Sequence, residues 1–297
     1  MGFNVAASLA LAIVYVLTIP PILDGIERKI RAKLQTRYGP PTIIQTWLDI
    51  LKLMSKELRV PQGSELSYAL LLTLFILGVA SSAVLSFIIA SKAADALSIA
   101  LALVFLASLH TVSIISSAIT ANPFALVGLF RSIVLSIINE VGYFISIVIA
   151  LTSSALIALN LNAKTFLLLS IAALAVLIST YVACGRLPYD IHEAEPELAS
   201  GTLIEFSGPA LALYIYTHLV ERYLLMLLAI HSLFYSIAIQ LPYLLSTLLT
   251  LVLASLLYLV YGAIAPLLGR TRIDLGVKFL TASYVTTLTM WVILWSV

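Results

Sequence analysis

The chain has 297 residues and a formal net charge of +2, and 62% of its residues are hydrophobic while only 10% are charged. With a mean hydropathy of +1.11 it has too little polar surface to cover a soluble globular domain, so the composition indicates an integral membrane protein. The one cysteine, Cys184, excludes an internal disulfide and any multi-cysteine iron–sulfur or zinc site built by this chain alone, so redox cofactors would belong to partner subunits.

Long apolar runs predict an all-α protein with about eight transmembrane helices in a single membrane domain, residues 1–297. The N-terminal run carries no charge before Asp24 and is long enough to span a bilayer, so we interpret it as a retained helix rather than a cleaved signal peptide. The limits of spans six and seven are the least defined, because residues 203–264 are almost continuously apolar. The predicted spans are 3–23, 66–90, 97–119, 132–158, 164–183, 206–230, 242–264 and 276–296.

Most of the 16 Lys and Arg residues fall in loops on one side of the membrane if the N-terminus lies outside. The positive-inside rule therefore predicts a cell-membrane protein with its N-terminus outside. It places the first loop, 24–65, and a second long loop, 184–205, on the cytoplasmic side.

The first loop contains two predicted helical parts. Asp24 with Arg28 and Glu27 with Arg31 are spaced four residues apart, which predicts a charged helical extension of span one that ends at Gly39-Pro40-Pro41. The segment 42–58 is amphipathic and predicts a helix in the plane of the membrane surface, either as a lipid-facing anchor or as a docking platform. Its apolar face would hold Ile43, Trp47, Ile50, Leu51, Met54 and Leu58, and its polar face Asp49, Lys52, Lys56 and Glu57.

Span four carries an ionisable residue, Glu140, about eight residues from its cytoplasmic end and so roughly 12 Å deep. A carboxylate at that depth is expected to face the bundle interior, to be protonated, or to line water. It could relay protons or be a neutral hydrogen-bonding group. Arg131 is nine residues earlier, which predicts that it points to the opposite side of the same helix.

Histidines and one more carboxylate lie in other spans. His218 and Glu221 share a helix face in span six, followed by Arg222. They could form an embedded polar cluster, but the interpretation favoured from the sequence is an outer-interface position with Arg222 reaching the headgroups. His110 is isolated in sequence and is expected to be a packing hydrogen-bonder, and His231 is expected at the interface.

The segment Gly185 to Pro209 has an unusual charge pattern, with five carboxylates and no Lys or Arg between the first and the last of them. Clustered like charges in a partly buried setting raise one another's pKa, so such a loop could take up and release protons near neutral pH. A solvated acidic loop is the alternative, and the spacing does not fit a calcium-binding loop. The carboxylates are Asp190, Glu193, Glu195, Glu197 and Glu205.

Two long motifs carry a family resemblance. The acidic segment and the first loop together resemble the membrane subunit shared by respiratory complex I, where it is called subunit 1, and the energy-converting membrane-bound hydrogenases. The matching residues of the acidic segment are Arg186, Pro188, Asp190, Glu193-Ala194-Glu195, Glu197-Leu198, Gly201, Glu205 and Ser207-Gly208. Those elsewhere are Glu27-Arg28-Lys29, Gln35, Arg37, Gly39-Pro40, Gln45, Asp49, Lys52, Lys56-Glu57, Asn122-Pro123-Phe124, Arg131, Glu140, Arg270, Arg272, Asp274 and Lys278.

The resemblance implies a non-catalytic coupling subunit with no metal or cofactor of its own. Partner subunits would carry the iron–sulfur clusters and a NiFe or related centre, and small and antiporter-like membrane subunits would adjoin this chain in the bilayer; no nucleic acid is involved. By position, Glu140, Asp190, Glu193, Glu195, Glu197 and Glu205 would couple protons. Residues that would shape loops or contact subunits are Arg28, Arg31, Arg37, Asp49, Lys52, Arg131, Arg186, Arg272 and Asp274.

The short segment GPPTIIQ after the first loop's helix resembles the hydrogenase and sulfur-reducing branch, which uses no quinone. A quinone-binding membrane subunit of a complex I-type NADH or ferredoxin:quinone oxidoreductase is the alternative, and a quinone is expected only in that case. Relatives often carry a glutamate near the position of His218, whereas here the nearest acid is Glu221, one turn on. A proton-coupled secondary transporter and a purely structural anchor are further alternatives.

Overall fold

The computed structural model describes residues 2–60, 63–118, 123–190 and 206–296. Within these ranges the chain forms ten α-helices and no strand. The helices are α1 (Gly2–Thr18), α2 (Pro20–Leu34), α3 (Gln45–Met54), α4 (Glu65–Ser91), α5 (Ala96–Ala118), α6 (Pro123–Leu159), α7 (Ala163–Ala183), α8 (Pro209–Gln240), α9 (Tyr243–Ile264) and α10 (Ile273–Ser296).

The all-α membrane fold predicted from the apolar runs is confirmed. In the described ranges, α4 to α10 are each long and apolar enough to cross a bilayer, and α1 with α2 forms a bent pair that can make an eighth span. The prediction of an unbroken first span over 3–23 is wrong, because the chain bends by 46° between Thr18 and Pro20. Pro20 and Pro21 have no N–H to continue the hydrogen bonds of α1.

Aromatic side chains from two other helices donate hydrogen bonds to the carbonyl groups left free at this break. Pro21 cannot donate to Leu17 O, and Tyr216 on α8 donates its hydroxyl there at 2.9 Å. Ile22 N–H binds Ile19 O instead of Thr18 O, and Trp47 Nε1 on α3 donates to Thr18 O at 3.1 Å. The break is therefore satisfied by tertiary contacts rather than left open to lipid.

Two helices have limits well away from the predicted ones. Helix α6 begins at Pro123, nine residues before the predicted start of span four at 132. Helix α8 continues to Gln240, ten residues beyond the predicted end of span six, because Glu221, Arg222 and His231 do not interrupt it. It ends where Pro242 disfavours a helical conformation of the preceding residue.

Helix α8 lies at the centre of the bundle and α10 at its edge. Of the most apolar 18-residue stretch of α8, 67% is buried, against 6% for α10. Residues of α8 pack against α4, α6 and α9 in the main apolar core, which includes the fully buried Tyr223 and Leu224. Side chains of α8 are therefore the ones best placed to meet groups from several other helices.

Helix α3 is shorter than the predicted 42–58 and is amphipathic as expected. It contacts α2 and α8, and its Ile50 is buried against Ala212 and Leu219 of α8. Leu51 and Met54 of the predicted apolar face are exposed in the isolated chain. The helix thus attaches to the bundle through one side and leaves apolar side chains on another.

Candidate functional site

The acidic segment enters the described structure only at its two ends. Glu193, Glu195, Glu197 and Glu205, which the sequence predicts as proton-coupling residues, lie outside the described residues. Arg186 and Asp190 at its start, and Ser207 at its end, are described. We call the side of the bundle that holds these ends, together with α2 and α3, the acidic-loop end.

Arg186, at the start of the segment, is held inside the protein by a carboxylate and an aromatic ring. Its Nη2 lies 2.7 Å from Glu27 Oε2 on α2, and both side chains are less than 5% exposed. Arg31 Nη2 donates to the other oxygen, Oε1, of Glu27 at 2.6 Å, which confirms the predicted pair four residues apart. The Arg186 guanidinium also lies over the ring of Tyr258 on α9, 4.5 Å from its centroid. One buried carboxylate thus binds two guanidinium groups.

Glycine at position 262 is what allows this arrangement to pack against α9. A Cβ there would overlap Glu27 Cγ and Cδ and would lie 2.8 Å from Arg186 Nη1. Close approach of α2 to α9 therefore needs a residue without a side chain.

The start of the acidic segment is also tied to the chain that follows α9. Asp190 Oδ2 lies 3.6 Å from Arg270 Nη2, and both N–H and Oγ1 of Thr271 donate to Pro188 O. Arg272 and Asp274, predicted to shape a loop or contact a subunit, are exposed beyond this connection, as are Arg37 and Lys52 near the first loop. These four lie where partners could reach them.

A second ion pair joins α2 to α3. Arg28 Nη1 binds Asp49 Oδ2 at 2.9 Å, and Asp24, its predicted neighbour four residues away, accepts a hydrogen bond from Thr46 Oγ1 at 2.8 Å instead. Partial burial raises the pKa of Asp49, but the hydrogen bonds from Arg28 and Gln45 outweigh it and hold that pKa below its ordinary value. The first loop is thereby folded back onto itself at the acidic-loop end.

Deeper in the bundle, two histidines and two carboxylates from three helices lie together. His110 on α5 contacts Glu221 on α8, with Nδ1 and Oε1 2.9 Å apart. His218 Nδ1 lies 3.3 Å from the other oxygen of Glu221, Oε2. His110 Nε2 in turn lies 3.9 Å from Glu140 Oε1 on α6. We call His110, Glu140, His218 and Glu221 the embedded cluster.

This cluster corrects one sequence-based interpretation and adds to a second, the hydrogen bond expected of His110. The outer-interface position favoured for Glu221 is wrong, because its side chain is 3% exposed and it follows Pro209 by twelve residues, roughly 18 Å along α8. About 28 Å of the same helix follows before Gln240, so Glu221 lies well inside the span. His110 is not an isolated packing residue, since its ring contacts one carboxylate and approaches a second.

His231, expected at the interface, is buried. Its Nε2 lies 3.2 Å from Ala93 O, beyond the end of α4. It therefore binds backbone at the opposite end of the bundle from the acidic loop and takes no part in the embedded cluster.

A cavity connects the embedded cluster with the start of the acidic segment. It lies between α5, α6, α7 and α8 and is partly open to the outside, and Gly185 and Tyr189 line it together with His110, Glu140 and His218. Burial raises the pKa of Tyr189. Arg131 also lines the cavity, although its spacing from Glu140 predicts that the two side chains point to opposite sides of the helix. Arg131 and Glu140 line one cavity although they are nine residues apart on α6, because both side chains are long and the cavity follows this helix.

Asn139, beside Glu140, is bound from α10. Tyr284 donates its hydroxyl to Asn139 Oδ1 at 2.6 Å, and Tyr143, one turn after Asn139, donates to Leu225 O at 2.9 Å. These contacts hold the polar stretch of α6 against α8 and α10. They set the orientation in which Glu140 meets the cavity.

The chemistry that this arrangement can perform is proton exchange. Carboxylates and imidazoles within or close to hydrogen-bond distance exchange protons, and buried ionisable residues of a membrane span are functional candidates. Across the four described ranges, no three or more His, Cys, Asp or Glu side chains converge closely enough to hold a metal ion.

Sequence reasoning found Glu140 and Arg186 but missed His110, Glu221 as a buried group, and Gly262. A signal was available for Glu221, because His218 precedes it by three residues within an apolar span. None was available for His110, whose partners lie on other helices.

Comparisons with known proteins agree with the sequence motifs. The NADH dehydrogenase family model matches residues 7–296. Hydrogenase-4 component C of Escherichia coli is 31% identical over 221 residues, covering 71% of this chain and 70% of that protein. Formate hydrogenlyase subunit 4 of E. coli is 28% identical over 64% of this chain and 65% of its own length. NADH-ubiquinone oxidoreductase chain 1 of Sarcophilus harrisii is 28% identical over 70% of this chain and 69% of its own length.

A solved structure shares the fold. A chain of the membrane-bound sulfane sulfur reductase, an archaeal respiratory membrane complex, superimposes with a TM-score of 0.74 at 20% identity. The match covers 97% of this chain and 99% of that chain. The arrangement of helices is therefore one that a respiratory membrane complex uses.

Proposed function

The chain belongs to the NADH dehydrogenase family of membrane subunits, and on that premise we propose that it couples a cytoplasmic redox arm to ion-pumping membrane subunits. In this proposal it is a non-catalytic subunit of a hydrogenase-type or sulfur-reducing complex in the cell membrane, with its N-terminus outside. Iron–sulfur clusters and a NiFe or related centre are carried by cytoplasmic partners, and small and antiporter-like subunits adjoin it in the bilayer.

The observation that carries the proposal is the cavity from Gly185 and Tyr189 to Glu140. It joins the start of the acidic segment to Glu140 in the middle of the bundle through space that can admit water. Charge changes at the acidic segment could therefore reach Glu140, and protons could follow. Asp190, Glu193, Glu195, Glu197 and Glu205 are the proposed proton-active groups outside the membrane, and Glu140 is the first within it.

The buried pair of Arg186 and Glu27 supports a role in coupling for the start of the acidic segment. Removing the charge of Glu27 would leave the buried guanidinium of Arg186 without its carboxylate partner, so the pair holds the start of the acidic segment firmly on α2. The exposed residues are Arg37, Lys52, Arg272 and Asp274, and together with Arg28 and Asp49 they are proposed to contact the cytoplasmic partners.

The experiment is done on the native complex, isolated in mild detergent and returned to vesicles. Reduced methyl viologen supplies electrons, and proton uptake or release is measured together with redox turnover. We expect Glu140→Gln to lower ion transport per turnover about tenfold or more while assembly and turnover persist. Unchanged transport in Glu140→Gln would refute the relay, and recovery of the wild-type chain without redox partners would refute the coupling role.

The same preparation tests which terminal electron acceptor the complex reduces. We expect hydrogen evolution or reduction of a sulfur compound, in line with the short GPPTIIQ segment and the similarity to hydrogenase-4 component C. The similarity to NADH-ubiquinone oxidoreductase chain 1 favours a second candidate, a quinone-binding subunit. Reduction of a soluble quinone analogue in place of protons or sulfur would select that candidate.

A further inference from the structure

We propose that His110 passes protons between Glu140 and Glu221, which makes Glu221 a second proton carrier within the membrane. The proposal rests on the relay function proposed above for Glu140. It adds a transfer across the bundle, from α6 through α5 to α8, to a path that the sequence places on α6 alone.

The geometry places one imidazole between two carboxylates. His110 Nδ1 is at hydrogen-bond distance from Glu221 Oε1, 2.9 Å, while its Nε2 is 3.9 Å from Glu140 Oε1. The second distance is about 1 Å too long for a hydrogen bond, so transfer there needs a small side-chain movement or one water molecule. The adjoining cavity has room for either.

Exposure differs between the two carboxylates. The side chains of Glu140 and His110 are 28% and 27% exposed, whereas that of Glu221 is 3% exposed. The His110 ring therefore stands between a carboxylate that lines the cavity and one that is buried. A proton that passes through it moves from the cavity into the interior of the bundle.

The protonation states follow from what each group can donate. Ionised Glu221 only accepts hydrogen bonds, so Nδ1 of a neutral His110 carries the proton and Nε2 presents a lone pair on the side of Glu140. Transfer from Glu140 Oε1 breaks an O–H bond and forms an N–H bond at Nε2, giving an imidazolium between two carboxylates. Release of the Nδ1 proton then forms an O–H bond at Glu221 Oε1.

After this transfer the ring is neutral with its proton on Nε2. It returns to the starting tautomer when water in the adjoining cavity takes up the Nε2 proton and another proton binds Nδ1, an exchange without net gain or loss of protons, so no oxidant or other reactant is consumed. One proton has left Glu140 and one has reached Glu221.

His218 holds the receiving carboxylate in place. Its Nδ1 lies 3.3 Å from Glu221 Oε2, and its ring stacks on Tyr214 at 6.1 Å. Its buried Nε2 makes no hydrogen bond to any described residue. With Oε2 occupied, Oε1 is the oxygen of Glu221 that is available to His110.

Three variants of the native complex in vesicles test the transfer, again with reduced methyl viologen as electron donor. His110→Asn keeps an N–H near the Nδ1 position for Glu221 but has no second nitrogen to relay a proton. Glu221→Gln keeps hydrogen bonding but cannot carry a proton. His231→Gln is the matched control, because His231 is a buried histidine outside the cluster whose Nε2 lies close to Ala93 O.

We expect His110→Asn and Glu221→Gln each to lower proton transport per turnover about tenfold or more, with assembled complex and redox turnover retained. His231→Gln should transport as the wild type does. If Glu140→Gln abolishes transport but His110→Asn and Glu221→Gln both transport normally, the transfer through His110 is refuted and the relay at Glu140 stands. If Glu140→Gln itself transports normally, the proposed function fails.

A second measurement covers the case in which His110→Asn does not assemble. Redox-induced infrared difference spectra of the wild-type complex should show a protonated carboxyl band that Glu221→Gln removes and that shifts in heavy water. Absence of any carboxyl band assignable to Glu221 would overturn the proposal without recourse to His110 variants.

Discussion

Arg186 Nη2 and Glu27 Oε2 are 2.7 Å apart in an ion pair whose side chains are 3% and 4% exposed. The pair joins the first residue of the acidic motif to the helix that follows the N-terminal break. Because both charges have left water, each depends on the other far more than an exposed pair would.

Replacing Glu27 by Gln should therefore destabilise the protein strongly. Arg186 and Arg31 would face a neutral amide, and leaving a buried charge unpaired costs about 3–5 kcal/mol. Thermal unfolding of the detergent-solubilised complex measures the change. The control is Glu57→Gln, which breaks an exposed 3.6 Å contact with Arg59 and should alter the free energy of unfolding by less than about 0.5 kcal/mol. Equal effects of the two variants would contradict the assignment.

Gly262→Ala should also destabilise the contact between Glu27 and Arg186, in this case from the side of α9. The added Cβ would overlap the Glu27 side chain and crowd Arg186, and overpacking of this kind costs about 1–3 kcal/mol. Gly269→Ala is the matched control, since a Cβ at Gly269 meets no atom within 4 Å. The two melting temperatures are compared. A Gly262→Ala protein as stable as Gly269→Ala would show that α2 and α9 are not so close.

Trp47→Phe should weaken the closure of the helix break. It keeps an aromatic ring beside Tyr216 but removes the indole N–H that binds Thr18 O, a loss of about 1 kcal/mol. Trp295→Phe on the exposed side of α10 provides a control with the same change of volume. Hydrogen exchange at the backbone amides of residues 19 and 22–24 is the measurement, and we expect faster exchange only in Trp47→Phe. No difference between the variants would argue against the hydrogen bond from Trp47 to Thr18 O.

Acid should weaken the contact between α2 and α3. Asp49 has a pKa below its unfolded value, so its pairing with Arg28 stabilises the fold above that unfolded value, near pH 4. That contribution is lost as the pH falls through the lower, folded pKa. Both side chains are 42% exposed, so the effect stays below about 1 kcal/mol. In melting curves between pH 6 and pH 3, Asp49→Asn should lose less stability than the wild type; parallel curves would refute this.

Cys184 should be unreactive in the folded protein. Its side chain is fully buried, and burial raises the pKa of its thiol to about 12 although Arg186 and Arg222 oppose the rise. N-ethylmaleimide labelling followed by mass spectrometry should find one modified cysteine only after denaturation in detergent. Glu27→Gln should increase labelling of the folded protein, because Arg186 is two residues from Cys184. Rapid labelling of the native wild type would show that Cys184, directly before the acidic segment, is accessible to the reagent.

Several features could be predicted from the sequence because they depend on neighbours along one helix or on apolar length. The pair of Glu27 with Arg31 follows from the spacing of four residues, and the helices α4, α5, α7 and α9 begin and end close to the predicted limits. The family was also recognisable, since its two motifs are continuous stretches of sequence. The roles of the carboxylates at 193, 195, 197 and 205 stay predictions.

Other predictions are wrong where a charged residue in an apolar run suggests a membrane boundary. Glu221 and Arg222 were expected near the end of span six, yet α8 continues to Gln240 because histidines from two helices bind Glu221 inside the bundle. The bend at Pro20 was missed for a related reason. An apolar run shows that a segment can enter a membrane, but not whether other helices satisfy a break in it.

The sequence by itself determined that this is a helical membrane protein with an acidic loop and an embedded carboxylate at position 140, because hydropathy and charge are properties of continuous segments. Only the tertiary structure decided which side chains meet. His110 reaches Glu221 and Glu140, and Arg186 reaches Glu27, because packed helices bring together residues that no periodicity relates. In a membrane this matters all the more, since lipid and protein interior are equally apolar and the pattern along a helix does not reveal which face meets a partner.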